Sequence, residues 1–247
     1  MSAPSEPESE RPQPDRRAGF LLGVRAAWGV PGLVLFASMV GYGGLVRASG
    51  IDLPVGLVST VAIWALPSQV VLAGAIAGGA SIVAAALAVS LSAVRLLPMT
   101  AALLPSLKGE GTPRWALLAL VHFIAVTPWT MGHGTLPTLP RRIRPAWFAG
   151  VGLTLSVTNL IATAVGYWSA ATLPPAFAGA LVFLTPLYFL LSMSGTARTP
   201  TDRMAIAFGL VATPLAGFLG GGAGLLWGGL VGGTAAFAVG RLIRRRW

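Results

Sequence analysis

Long apolar runs without charge, separated by short basic connections, make up most of the chain after residue 20. A helix crosses a bilayer with about 20 residues, at a rise of about 1.5 Å per residue. The runs therefore predict eight crossings: one in residues 26–46, two in 53–94, one in 115–140, two in 145–197 and two in 204–240. This pattern is typical of an all-α polytopic membrane protein.

Glycine and proline mark where the runs that hold two crossings divide, because both residues interrupt helices. The expected dividers are Gly78-Gly79, Leu173-Pro174-Pro175 and the glycine cluster at residues 220–222. The fourth crossing, in residues 115–140, is expected to end near Met131.

The N-terminal segment differs from the rest of the chain. Residues 1–19 are polar and rich in Pro, Ser and Glu, which predicts a disordered cytoplasmic tail. The segment lacks the basic start, apolar core and small-residue cleavage site of a signal peptide, so the first apolar segment is expected to remain as a helix. Residues 20–247 are then predicted to form a single transmembrane domain.

The composition agrees with a membrane protein. Hydrophobic residues make up 55% of the chain and charged residues only 10%, whereas about a quarter of the residues in soluble domains are charged. Cysteine is absent, which excludes disulfides and thiolate metal sites. The net charge of +10 does not indicate nucleic-acid binding, because the basic residues cluster between the apolar runs, where they act as topology signals.

The distribution of Lys and Arg predicts the orientation, because cytoplasmic connections carry more of these residues. With the N-terminus cytoplasmic, thirteen lie inside: Arg11, Arg16, Arg17, Arg25, Arg141, Arg142, Arg144, Arg198, Arg203, Arg241, Arg244, Arg245 and Arg246. Four lie outside: Arg47, Arg95, Lys108 and Arg114. The asymmetry favours both termini inside and an even number of crossings, since seven crossings would place the basic C-terminal end outside.

Two pairs of segments are weakly similar to each other. MVGYGG at residues 39–44 is similar to AVGYWS at 164–169, and IWALPSQVVLAG at 63–74 is similar to VFLTPLYFLLSM at 182–193. Transporters are often built from repeats of this kind, with the solute bound where helices are broken near the midplane. The pairs predict two related halves, residues 20–132 and 145–240, either inverted or parallel. Chance similarity between Gly- and Leu-rich segments is the alternative.

Few ionisable side chains lie within the predicted crossings. All seven acidic residues lie in the tail or in connections, so a carboxylate proton relay has no candidate. His122 is the candidate proton-linked group, because histidine titrates near neutral pH. A hydrogen bond between packed helices is the alternative interpretation of His122.

Arg95 follows one apolar stretch and precedes another. If the helix continues past this residue, the guanidinium lies at membrane depth without an acidic partner, and a substrate carboxylate would be a natural counter-ion. The alternative is an arginine whose side chain extends to the outer interface. The sequence leaves both interpretations open.

Proline within an apolar run interrupts the helix, because it removes a backbone donor, so helix breaks are expected at Pro67, Pro128 and Pro186. We expect Pro67 to open one helix beside a substrate, and Ser68 and Gln69 to pair with the freed backbone groups. The other candidate substrate-binding residues are Arg95, Thr127, Asn159 and Pro186. Hydrogen bonding between helices is the alternative role of each polar candidate. No catalytic pair, phosphate loop or metal-ligand cluster is visible, so an enzyme, a cofactor or a metal is not expected.

Four short elements of the sequence are shared with a known family: Gly29-Val30-Pro31, Pro67-Ser68-Gln69-Val70, Ala77-Gly78-Gly79-Ala80 and Ala93-Val94-Arg95-Leu96. Over about residues 20–240 the chain resembles the AzlC family, the large subunits of branched-chain amino-acid exporters. The family has Asn-Leu-Arg-His at the last element, so the arginine is kept while the Asn and His are not. Thr127-Pro128-Trp129 stands where the family often has Thr-Asp-Glu, so both acids are missing.

The resemblance implies export of small neutral amino acids, such as valine, leucine, isoleucine or methionine, across the inner membrane of a bacterium. It also implies a partner, a small AzlD-type four-span membrane subunit. The missing Asn, His and acids imply a different substrate or mechanism if those residues bind substrate or protons in relatives. The alternatives to an exporter are a non-transporting scaffold or assembly subunit, and an importer or channel for another small solute.

Overall fold

The computed structural model describes residues 15–170, single residues between 172 and 194, and residues 200–218 and 224–244. Every regular element within these ranges is a helix, which confirms the predicted all-α class. Most of the predicted tail, Pro186 with most of residues 182–193, and the glycine cluster at 220–222 lie outside the described residues.

Up to residue 169, the described helices follow one another with short connections. They are α1 (Arg16–Ala27), α2 (Val30–Ala48), α3 (Leu53–Ala62), α4 (Leu66–Ala77), α5 (Ile82–Ala93), α6 (Leu96–Leu107), α7 (Arg114–Val121), α8 (Val126–Thr135) and α9 (Arg144–Ser169), then a C-terminal pair, Pro200–Phe218 and Gly224–Arg244. Two 3₁₀ turns, Leu136–Thr138 and Arg141–Ile143, join α8 to α9. Helix α1 begins within the predicted tail, because the Asp15 carboxylate accepts a hydrogen bond from the backbone N–H of Arg16.

The helices that are long and apolar enough to cross a membrane are fewer than predicted. Two single helices of the described chain meet that test, α2 and α9, and the bent pair α5–α6 makes a third. The eight predicted crossings are therefore not confirmed. The predicted divider Gly78-Gly79 is confirmed, since α4 ends at Ala77 and Gly79 has a φ of +68°.

The longest helix, α9, is the scaffold on which α1, α2 and α3 pack. Contacts made by glycines run in register along it: Gly19 lies against Ile143, Gly23 against Trp147, Gly32 against Leu155 and Gly43 against Thr163. Because the residue numbers increase together, α1 and α2 run in the same direction as α9. Small residues allow this close approach between helices.

The crossing of α2 and α9 is reciprocal. A Cβ on Gly43 would collide with the carbonyl oxygen of Thr163, and a Cβ on Gly166 would collide with that of Val40. Gly43 therefore contacts the residue three positions before Gly166, and Gly166 contacts the residue three positions before Gly43. Both glycines belong to the similar Gly-Tyr segments of the sequence, so these two segments face each other across one helix contact.

Buried hydroxyl groups tie α3 to the same two helices. The Tyr42 hydroxyl on α2 lies 2.7 Å from the Ser59 hydroxyl, and Thr60 lies 3.2 Å from Thr163 on α9. At the far end of the bundle, Arg47 donates to the carbonyl oxygen of Tyr167 and lies over its ring. These contacts fix α3, and the helix break that follows it, against α9.

The glycine crossing generates a stability prediction. We expect Gly43→Ala to lower the free energy of unfolding by about 1–3 kcal/mol, because the added methyl group forces α2 away from α9. Gly74→Ala is the matched control: a Cβ there meets nothing within 4 Å, so the substitution should be neutral or stabilise α4. Thermal unfolding of the purified protein in detergent measures both. Equal unfolding temperatures for the two variants would contradict the assigned crossing.

Candidate functional site

Among the described residues, three breaks within the apolar helices each lie four residues before a proline. Pro67 follows the break between α3 and α4, Pro98 the break between α5 and α6, and Pro128 the break between α7 and α8. A proline ring clashes with the carbonyl group four residues earlier and cannot donate to it. The prediction that Pro67 opens a helix is confirmed, since α4 begins at Leu66 after an extended Ala65.

Two of the three breaks, α3–α4 and α7–α8, contain extended backbone. The helix that follows each of them begins in the same way. The N-cap residues are Ala65 and Ala125, both extended, and neither makes a side-chain capping bond. The first backbone N–H groups of a helix have no partner within the helix. The starts of α4 and α8 therefore each present free donors and the positive end of a helix dipole.

Trp64 is held in a strained conformation at the first break. Its φ of +52° is the one left-handed value among the described non-glycine residues. The indole packs against the rings of His122 and Phe123 from the second break, at centroid distances of 6.4 and 5.7 Å. Aromatic contacts therefore join the two breaks.

A cavity of about 340 Å³ lies where the breaks meet. It is lined by Leu35 and Met39 of α2, Trp64 to Pro67 of the first break, Arg95 and Leu96 at the α5–α6 bend, Ala125 to Pro128 of the second break, and Asn159 of α9. Its volume lies at the lower end of the range for small-molecule sites, and its walls are mostly apolar as in such sites.

Three side chains on the cavity wall have buried polar atoms without partners among the described residues. These atoms are Nε and Nη2 of Arg95, Oδ1 of Asn159 and the indole Nε1 of Trp64. Asn159 is only 2% exposed, so no bulk water replaces its missing partner. Buried polar groups are almost always paired, so an unpaired set in a cavity indicates a missing ligand or water.

Four of the seven predicted substrate-binding residues line this one cavity: Pro67, Arg95, Thr127 and Asn159. Ser68 and Gln69 do not line it. The Ser68 hydroxyl lies 3.0 Å from that of Ser92 on α5, and Gln69 is fully buried with both amide atoms unpaired among the described residues. The expectation that these two side chains pair with the freed backbone groups is therefore wrong. Pro186 lies outside the described residues.

The distribution of basic residues predicts Arg95 in an outer connection. The structure has it between two consecutive helices, α5 and α6. It stands at the 46° bend between α5 and α6, two helices that together are long and apolar enough to form a broken span or a re-entrant loop. Arg95 lines the cavity, as the interpretation with a substrate carboxylate as counter-ion expects. Pro98, in the first turn of α6, is the sequence signal that could have located the bend.

The sequence reasoning also missed the apolar and backbone parts of the wall. Leu35, Met39 and Leu96 have no feature that separates them from other apolar residues. Ala65 and Ala125 could have been found, because each is an alanine two or three positions before a proline in an apolar run. The sequence had instead paired the first break with residues 182–193, most of which the structure does not describe.

His122 joins the two broken helices by a hydrogen bond. Its Nε2 atom lies 2.9 Å from the carbonyl oxygen of Val61, which belongs to the last turn of α3. Carbonyl groups in the last turn of a helix have no N–H donor within the helix. The imidazole N–H of His122 donates to the Val61 carbonyl in its place. His122 does not line the cavity described above.

These features define a helical membrane protein with a small, partly open site at breaks in its apolar helices, as in carriers of small solutes. The chain belongs to the AzlC family, because the family model described as AzlC protein matches residues 32–173, more than half of its length. The matched region contains every cavity-lining residue. The family consists of membrane transporter subunits that generally function with a partner subunit. No curated protein and no solved structure matches the chain.

The hydrogen bond of His122 generates a second stability prediction. We expect His122→Leu to destabilise the protein by about 0.5–1.5 kcal/mol, because it leaves the Val61 carbonyl unpaired at a helix end. His122→Gln keeps a donor of similar reach and should unfold close to the wild-type temperature. Thermal unfolding in detergent, followed by tryptophan fluorescence, compares the two. A His122→Leu variant as stable as His122→Gln would show that the contact contributes nothing.

Proposed function

We propose that the chain is the large subunit of a secondary transporter that exports branched-chain or other small neutral amino acids, together with a small AzlD-type subunit. The observation that carries this proposal is the cavity at which two helix starts, the Arg95 guanidinium and the Asn159 amide converge. Membership in the AzlC family supports the transporter role.

The cavity offers a complementary group for each part of a small amino acid. Arg95 has free donors for the carboxylate, and the N–H groups at the starts of α4 and α8 add further donors. Oδ1 of Asn159 is a free acceptor for the ammonium group. Leu35, Met39 and Leu96 surround the space left for an apolar side chain.

The packing of α1 and α9 supports the proposed orientation in the bacterial inner membrane. Gly19 lies against Ile143, so the basic starts of both helices, at Arg16 and Arg144, lie at one end of the bundle. Arg47 and Tyr167 meet at the other end. With the more basic end cytoplasmic, the N-terminus is inside.

In this proposal His122 is a positioning residue. Its imidazole holds the end of α3 against the second break, outside the cavity wall. If export depends on a proton carried by His122, His122→Gln should abolish coupling to a pH gradient. If the histidine only positions the break, His122→Gln should export at a rate close to that of the wild type.

The proposal is tested by export from proteoliposomes that contain the chain and its four-span partner. We expect saturable movement of leucine or valine, and a decrease of about 10- to 100-fold in kcat/KM for Arg95→Gln, since a hydrogen bond to a charged group contributes about 1.5–3 kcal/mol. Arg47→Gln is the matched control, because Arg47 does not line the cavity and its one hydrogen-bond partner among the described residues is Tyr167.

Three outcomes would contradict the proposal in different ways. If the folded complex moves none of the neutral amino acids, the exporter assignment fails. If Arg95→Gln changes only assembly with the partner, the chain is a scaffold subunit. If flux does not saturate and needs no ion gradient, the complex is a channel.

A further inference from the structure

Arg95 gives the cavity an uncompensated positive charge. It is the one charged side chain among the described lining residues, and its buried Nε and Nη2 atoms have no partner there. Of the acidic side chains that the structure describes, Asp15 and Asp52 stand at helix starts and Glu110 lies in a connection; none reaches the cavity.

The two helix starts add to the same sign of charge. Ala65 and Leu66 at the start of α4, and Ala125 and Val126 at the start of α8, all line the cavity. Both helices have ten or more residues and uncapped first turns, so their dipoles favour a negative group at this point. The positive potential thus comes from three separate elements of the fold.

The Asn159 amide on the cavity wall carries no charge. It is almost fully buried and has an unpaired oxygen among the described residues. An amide oxygen accepts a hydrogen bond from an ammonium group but does not balance its charge. A zwitterion therefore leaves the site with a net positive charge, whereas a monocarboxylate anion neutralises it. An uncompensated charge away from water is costly.

We propose that the cavity recognises the carboxylate and the apolar branch of its ligand, and that the ammonium group is dispensable. The ligand class then extends from neutral amino acids to small branched monocarboxylates without an amino group. This inference deepens the proposed function and depends on it for the identity of the site.

The test is direct binding to the purified wild-type protein in lipid nanodiscs, measured by quenching of tryptophan fluorescence, since Trp64 lines the cavity. The probes share one branched skeleton: leucine, 4-methylpentanoate, 3-methylbutylamine and leucinamide. We expect 4-methylpentanoate to bind at least as tightly as leucine. We expect the two probes without a carboxylate to bind at least about 10-fold more weakly, because each loses a charge-assisted hydrogen bond.

Variants separate binding in the cavity from partition into lipid. Arg95→Gln should remove most of the binding of both carboxylates, Arg95→Lys should restore part of it because the positive charge returns, and Arg47→Gln should bind like the wild type. Asn159→Leu should weaken leucine more than 4-methylpentanoate, because only leucine carries the ammonium group. Wild-type measurements do not depend on the folding of any variant.

The inference is overturned if leucine binds and 4-methylpentanoate does not, or if 3-methylbutylamine binds as tightly as leucine. It is also overturned if chloride alone displaces 4-methylpentanoate at equal concentration, which would make the cavity a site for inorganic anions. In the first two cases leucine export through the complex would still stand, so failure of the inference and failure of the proposed function are distinguishable. If neither leucine nor 4-methylpentanoate binds, both the inference and the proposed function are overturned.

Discussion

Breaking a helix at membrane depth frees backbone groups that the bilayer cannot satisfy, and this constraint shapes the whole structure. Irregular backbone is tolerated there only inside protein or beside a polar cavity. The described residues contain three breaks in apolar helices that reach one cavity, and each has a proline four residues later. The breaks and the cavity are therefore one feature: the uncapped starts of α4 and α8 supply the donors that a bound solute would use.

The rest of the fold holds these breaks in place. Helix α9 extends along α1 and α2 through close glycine contacts, and it carries Asn159 into the cavity. Hydroxyl pairs fix α3 to α2 and α9, and His122 with Trp64 joins the first break to the second. The strained backbone of Trp64 is maintained by this surrounding packing.

The sequence predicts some parts of this site and not others for physical reasons. Proline has a local effect, so Pro67 and Pro128 located two breaks, and the same reasoning applied to Pro98 would have located the third. The burial of Asn159 and the position of Arg95 depend on which helices meet, and no local sequence signal carries that information.

Gln69 belongs to a specific sequence motif but does not line the cavity. It is buried, and its amide is unpaired among the described residues. Gly43 and Gly166, one from each of the two similar Gly-Tyr segments, pack against the facing helix at the α2–α9 crossing.

The most direct measurement exploits the natural absence of cysteine. Val126→Cys places one thiol on the cavity wall at the start of α8, where the helix dipole and Arg95 favour the reactive thiolate. An anionic methanethiosulfonate reagent should modify this thiol, and leucine should slow the reaction at concentrations that saturate export. Glu110→Cys, in the exposed connection before α7, should react without protection. Export of leucine without any protection of the thiol at position 126 would contradict the claim that the solute binds between the helix breaks.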